Sequence, residues 1–209
     1  AERRRRGVSC KRHSDTRAPR ILAYDKRMIL TALVSTEILA RQLADPDWVV
    51  FDCRHDLADP ARGRADYASS HIPGARFLHL DEDLSAPKTG TNGRHPLPDP
   101  QVLMEKLGRA GVDSRKQVVA YDAQGGMVAA RLWWLLRWFG HLPVAVLDGG
   151  WNQWTAEGRP RSAEVPTPQP ASFSGKEGSN GVRANLVRLR LGDKSLVLLD
   201  ARAPDRFRG

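Results

Sequence analysis

Cysteine is scarce in this chain of 209 residues: only Cys10 and Cys53 occur, far apart and in different contexts. That scarcity excludes a small secreted scaffold stapled by disulfides, and two unpaired thiols fit a reducing compartment, so the expected location is the cytoplasm. Long hydrophobic runs are absent too; none approaches the roughly 20 apolar residues that cross a bilayer, which excludes a membrane-spanning helix. Acidic residues are in deficit, 24 against 33 Lys and Arg, for a formal net charge of +9. The imbalance is local. Residues 1–27 hold ten Lys or Arg against three acids, and the remaining 182 residues are nearly neutral. Nucleic acid is therefore not expected as a partner of the folded part. The run Arg3-Arg4-Arg5-Arg6, followed by Lys11-Arg12, fits a basic arm for an anionic surface, an arginine-rich transit peptide, or a disordered leader ahead of a natural start at Met28; the leader is preferred. No cofactor and no metal is expected.

Punctuation and periodicity supply the elements. Ser35-Thr36-Glu37 opens a helix through Leu43 with Ser35 as its cap, and Asp45-Pro46-Asp47 stops it ahead of a strand at 48–52. Asp66 to Ser70 makes a helical turn ended by Pro73-Gly74. Asp99-Pro100 opens a helix with Val102, Leu103, Lys106, Leu107 and Ala110 on one face, ended by Gly111. Residues 117–121 are a second apolar strand, too continuous to be half exposed. The helix from Met127 to Phe139 turns Val128, Leu132, Leu135, Leu136 and Phe139 inward, with Trp133, Trp134 and Trp138 spread round it as core. Apolar strands alternating with helices imply an α/β fold, a doubly wound parallel sheet with helices on both faces. From Glu157 onward Pro160, Pro166, Pro168 and Pro170, with Ser and Gly, read as an extended linker lying along the first domain.

Two stretches echo one another. Trp48-Val49-Val50-Phe51-Asp52-Cys53-Arg54 and Ser195-Leu196-Val197-Leu198-Leu199-Asp200-Ala201-Arg202 each carry an apolar strand into Asp-x-Arg, which makes Asp52, Arg54, Asp200 and Arg202 candidate structural pairs. The expected organisation is a basic leader (1–30), a first domain (31–156), a Pro/Gly-rich linker (157–185) and the truncated start of a second copy (186–209). In that last part Leu196 to Leu199 would be an exposed apolar edge that invites self-association.

Tyr67, three spacer residues and then His71-Ile72-Pro73-Gly74-Ala75 resembles the N-terminal signature of the rhodanese sulfurtransferases. The likeness extends over Asp52-x-Arg54, Val118-Val119-Ala120-Tyr121-Asp122, Arg131-Leu132-Trp133-Trp134 and Val146-Leu147-Asp148-Gly149-Gly150-Trp151, in order across residues 35–156. The resemblance implies the N-terminal half of a tandem thiosulfate or 3-mercaptopyruvate sulfurtransferase, whose small anionic sulfur donor passes sulfur to cyanide or a thiol through a cysteine persulfide. That cysteine sits in a loop after the central strand, where backbone N–H groups and the following helix lower its pKa.

Here the nucleophile position holds Asp122, in Tyr121-Asp122-Ala123-Gln124-Gly125-Gly126-Met127, and a carboxylate cannot carry a persulfide. No catalytic residue is therefore expected in these 209 residues, and the alternative is a non-catalytic interaction or regulatory module. Asp122 reads as a helix cap or loop-ordering group. Cys53 sits at the Asp-x-Arg pair and reads as a buried, inert thiol, although Arg54 and Arg64 could activate it. His71 supports the turn into the next strand or faces the inter-domain cleft. The resemblance also aims the loop 87–98 at that cleft, so that Lys88, Arg94 and His95 could attract an anion, with a solvated loop as the plainer reading. Arg206 matches a position where the mercaptopyruvate enzymes offer a guanidinium to the substrate carboxylate.

Overall fold

The computed structural model of the chain describes residues 29–179 and 181–209. The arginine-rich leader, Cys10 and Met28 lie outside the described residues. Five parallel strands form one sheet: β1 (Leu33–Val34), β2 (Trp48–Asp52), β3 (Arg76–Phe77), β4 (Gln117–Tyr121) and β5 (Val144–Leu147), in the order β1-β5-β4-β2-β3. The order reverses direction about the central pair, the doubly wound arrangement expected from the sequence.

Side-chain alternation assigns the two cores. Val49 and Phe51 of β2, Val118 and Ala120 of β4 and Val144 of β5 point to one face, where they meet Leu103 and Leu107 of α3 (Pro100–Arg109) and Leu132, Leu135 and Leu136 of α4 (Ala129–Trp138). Val50, Val119, Tyr121 and Ala145 point to the other, against Leu39 of α1 (Thr36–Gln42) and Trp154 of α5 (Gly150–Ala156). Every residue of β4 is buried, as a central strand covered on both faces should be. Ser35 caps α1 by accepting from the Ile38 N–H, and Asp99 caps α3 by accepting from the Val102 N–H.

Three local expectations are corrected. Helix α2 runs Arg62–Ser69, a turn earlier than Asp66, because it buries only Gly63 and Tyr67 and so shows almost no apolar period. Val102 on α3 is exposed rather than on the packed face, which Leu103, Leu107 and Gly108 supply. Leu196–Leu199 does not form a strand; no neighbouring strand among the described residues offers it hydrogen-bond partners, and it lies exposed between α6 (Ala184–Leu189) and α7 (Pro204–Arg208).

The proline-rich stretch after α5 lies along the domain, tied down at intervals. His71 and Ser162 exchange backbone hydrogen bonds of 2.7 and 2.9 Å, the Ala171 N–H donates to Gly108, and Lys176 and Gly178 donate to Phe139 and Trp138. Phe173 completes the core under this strap, edge-on to Phe139 and His141.

Candidate functional site

The strand ends β2 and β4 lie side by side, with Asp52 in register with Tyr121, so the loops that follow converge at the carboxyl edge of the sheet. In open α/β sheets that edge, where strand order reverses, is where ligands bind. The β4–α4 loop there is organised round Asp122. Its Oδ1 accepts from the N–H groups of Gln124 (2.9 Å) and Gly126 (2.8 Å), and its Oδ2 from those of Val128 (2.7 Å) and Ala129 (2.9 Å). These include the first donors of α4, which no preceding turn of helix can satisfy. Asp122 is 1% exposed. A single side chain thus gathers four backbone amide donors of the loop. Gly150 permits this packing: its φ is +54°, and a Cβ there would sit 2.4 Å from the Asp122 carbonyl oxygen. That carbonyl in turn accepts from the Trp151 N–H at 2.8 Å.

Asp52 and Arg54 form a buried, bidentate pair, 2.7 Å from Nη2 to Oδ2, and the same guanidinium donates to the Ser70 carbonyl at 2.6 Å and lies over the Trp151 ring. The Tyr121 hydroxyl donates to Asp52 Oδ2 at 2.6 Å, and burial followed by the Asp52 charge pushes the phenol well above its ordinary pKa. Asp200 and Arg202 repeat the geometry: the Arg202 N–H donates to Oδ1 at 2.9 Å, as the Arg54 N–H does to Asp52, and Nη2 lies 2.6 Å from Oδ2. The second pair is exposed where the first is buried. Hydrogen bonds from Arg202 hold the Asp200 carboxyl below its usual range.

Cys53 is fully enclosed, and burial, reinforced by Asp52, Asp122 and Asp83, pushes its thiol well above the ordinary range. The neighbouring arginines are engaged elsewhere, Arg54 with Asp52 and Arg64 with Glu82, so neither activates it. His71 does not face an open cleft. It is 0% exposed, with Nδ1 2.7 Å from the Tyr67 carbonyl and Nε2 3.0 Å from the Glu164 carbonyl, stacked on Tyr67. Its place is between α2 and the strap, with one ring nitrogen against a backbone carbonyl of each.

The loop 87–98 is held by Asp81, whose Oδ1 lies 3.5 Å from Lys88 Nζ and 3.4 Å from His95 Nε2. Arg94 is exposed and has no ion pair among the described residues. Arg206 is exposed on α7, likewise without an ion pair among the described residues. Burial lowers the pKa of His95 despite the attraction of Asp81. Sequence reading passed over Asp81 and its neighbours: His55, His79 and Asp81 come together, each placing a nitrogen or oxygen within 4.8 Å of the others. Their only signal in the chain is His79-Leu80-Asp81, two alternate positions beyond β3.

Comparison with known proteins gives one answer at three levels. The family description "Rhodanese-like domain" matches residues 35–157. A probable 3-mercaptopyruvate sulfurtransferase of Pseudomonas aeruginosa is 45% identical over 180 residues, covering 85% of this chain and 63% of that protein. A thiosulfate sulfurtransferase of Rattus norvegicus is 31% identical over 192 residues, covering 88% and 63%. The crystal structure of the 3-mercaptopyruvate sulfotransferase SseA from Escherichia coli superposes with a TM-score of 0.76 at 28% identity, over 85% of this chain and 68% of that one. The chain spans just under two thirds of the length of these curated relatives.

Proposed function

Because the chain belongs to the rhodanese-like domain family, we propose that it is the non-catalytic domain of a sulfurtransferase acting on thiosulfate or 3-mercaptopyruvate, with the reactive cysteine loop elsewhere in the protein. One observation carries this reading: the loop position that needs a thiolate holds Asp122, sealed by four backbone N–H groups. In such transfer a cysteine thiolate attacks the outer sulfur of thiosulfate, the sulfur–sulfur bond breaks and sulfite leaves with the bonding pair. The persulfide then gives its outer sulfur to cyanide, releasing thiocyanate and restoring the thiolate. A carboxylate offers no sulfur for either step, and the enclosed Cys53 is protonated and unreachable.

The domain's contribution is then to present its carboxyl edge to the partner domain. Lys88 and Arg94 on the loop 87–98, with His95 beside them, draw the anionic donor towards that edge, and Arg206 offers a planar fork to a carboxylate. Asp200 and Arg202 would fix the opening strand of the second domain as Asp52 and Arg54 fix β2. A reducing, cytoplasmic setting suits the buried free thiol; no helix among the described residues is long and apolar enough to cross a membrane.

The test is direct. Purified residues 1–209 incubated with thiosulfate and cyanide, or with 3-mercaptopyruvate and a thiol, should give no turnover and gain no sulfur by intact-mass spectrometry. The same residues followed by a domain with a cysteine loop should turn over. A persulfide on the 209-residue chain alone would overturn the proposal.

A further inference from the structure

We propose that His55, His79 and Asp81 form a binding site for one divalent transition-metal ion of the zinc class. The site is independent of the sulfur-transfer reading. His55 follows the Asp52–Arg54 pair after β2, and His79 and Asp81 follow β3, the strand paired with β2. Adjacent strand ends therefore deliver two imidazoles and a carboxylate to one point, their ligand atoms all within 4.8 Å. A tetrahedral zinc ion with bonds of about 2.0–2.2 Å sets its ligands roughly 3.3–3.5 Å apart, so small side-chain adjustments close the site. The His55–Asp81 pair, at 3.9 Å, is already near this spacing.

A second observation points to a missing ligand. His55 Nδ1 is buried without a hydrogen-bond partner, and the His55 side chain is only 2% exposed. Buried polar atoms are almost always partnered, so an unpartnered imidazole nitrogen in this cluster calls for an occupant.

His79 is the member with competing bonds. Its Nδ1 accepts from the Asp81 and Glu82 N–H groups at 3.1 and 3.3 Å, and its Nε2 lies 2.9 Å from the Pro60 carbonyl. An entering ion would displace one of these bonds. His95 Nε2 lies 3.4 Å from Asp81 Oδ1, beside the three-ligand cluster. Lys88, the cation on the same oxygen, is more than half exposed and free to swing into solvent.

Calorimetric titration of the 209-residue chain with zinc chloride near neutral pH tests this, in a Cys10→Ser, His13→Asn background that removes donors outside the described residues. One ion per chain should bind, weakened about tenfold or more by His55→Gln and by Asp81→Asn, since losing even a supporting partner of a ligand costs that much. Zinc should raise the thermal midpoint of the parent and not of either variant. Asp81→Asn is near-isosteric and partly exposed, so its fold, checked by circular dichroism, keeps the test valid if His55→Gln misfolds. Absence of saturable binding, or binding that survives Asp81→Asn in a folded protein, would overturn the assignment.

Discussion

Asp122 shows how one buried carboxylate can organise a whole loop. The amide ring of the β4–α4 loop suits a negative group, and here the chain supplies its own. The capping role was readable because Asp before a helix is a favoured acceptor for first-turn donors. That the same carboxylate also gathers the Gln124 and Gly126 amides was not, since nothing in the sequence fixes how the loop folds back. Asp122→Asn should make the difference measurable. An amide keeps one acceptor oxygen and turns a second donor toward amides that already donate, leaving buried N–H groups unpaired at a cost of roughly 2–4 kcal/mol. Urea unfolding followed by tryptophan fluorescence should show that loss; a change near zero would mean that the ring does not stabilise the loop. His71 teaches the converse: the motif pointed to this residue, but only the returning strap, with the Glu164 carbonyl, reveals that it is enclosed.

Between elements, the clearest tie is an exposed carboxylate. Glu157, just past α5, accepts from Thr36 at the start of α1, from Gln153 within α5 and from Arg159. These hydrogen bonds, that from Thr36 foremost, lower its pKa from 4.5 to about 2. The sign follows from linkage: as pH falls, the unfolded chain takes up the proton first. The tie therefore contributes in full above about pH 4.5 and is lost as pH drops toward about 2. Stability curves of the parent and of Glu157→Gln should differ by a constant amount from pH 5 to 8 and converge between pH 4.5 and 2; an unchanged gap would refute the link. Elements with strong local signals, such as the capped α1 and α3 and the all-apolar β4, were plain in the sequence. Those that depend on tertiary partners were not: β1 is two residues long and exists through its pairing with β5, and α2 starts at Arg62 without a side-chain cap.

The two Asp-x-Arg turns link these local rules to the form of the whole chain. Both pairs close with nearly the same distances, so the turn is encoded in its own few residues. What differs is everything round it. Near Asp52 the preceding apolar run is β2, buried between two strands; near Asp200 the equivalent run has no sheet to join, and Leu199 is 84% exposed with Val197 and Leu198 beside it. The apolar pattern was visible in sequence, but strand formation is not a local property, because each N–H and C=O needs a neighbour. An exposed, β-prone apolar run with free backbone donors is a template for another chain. We therefore expect the 209-residue chain to associate reversibly, with a sedimentation coefficient that rises with concentration. Leu199→Glu should abolish the rise while changing the unfolding free energy by less than about 0.5 kcal/mol, since an exposed side chain away from structural ties contributes little to the folded domain. Association that persists in Leu199→Glu would place the contact elsewhere, and a large loss of stability would mean that the run packs within its own domain.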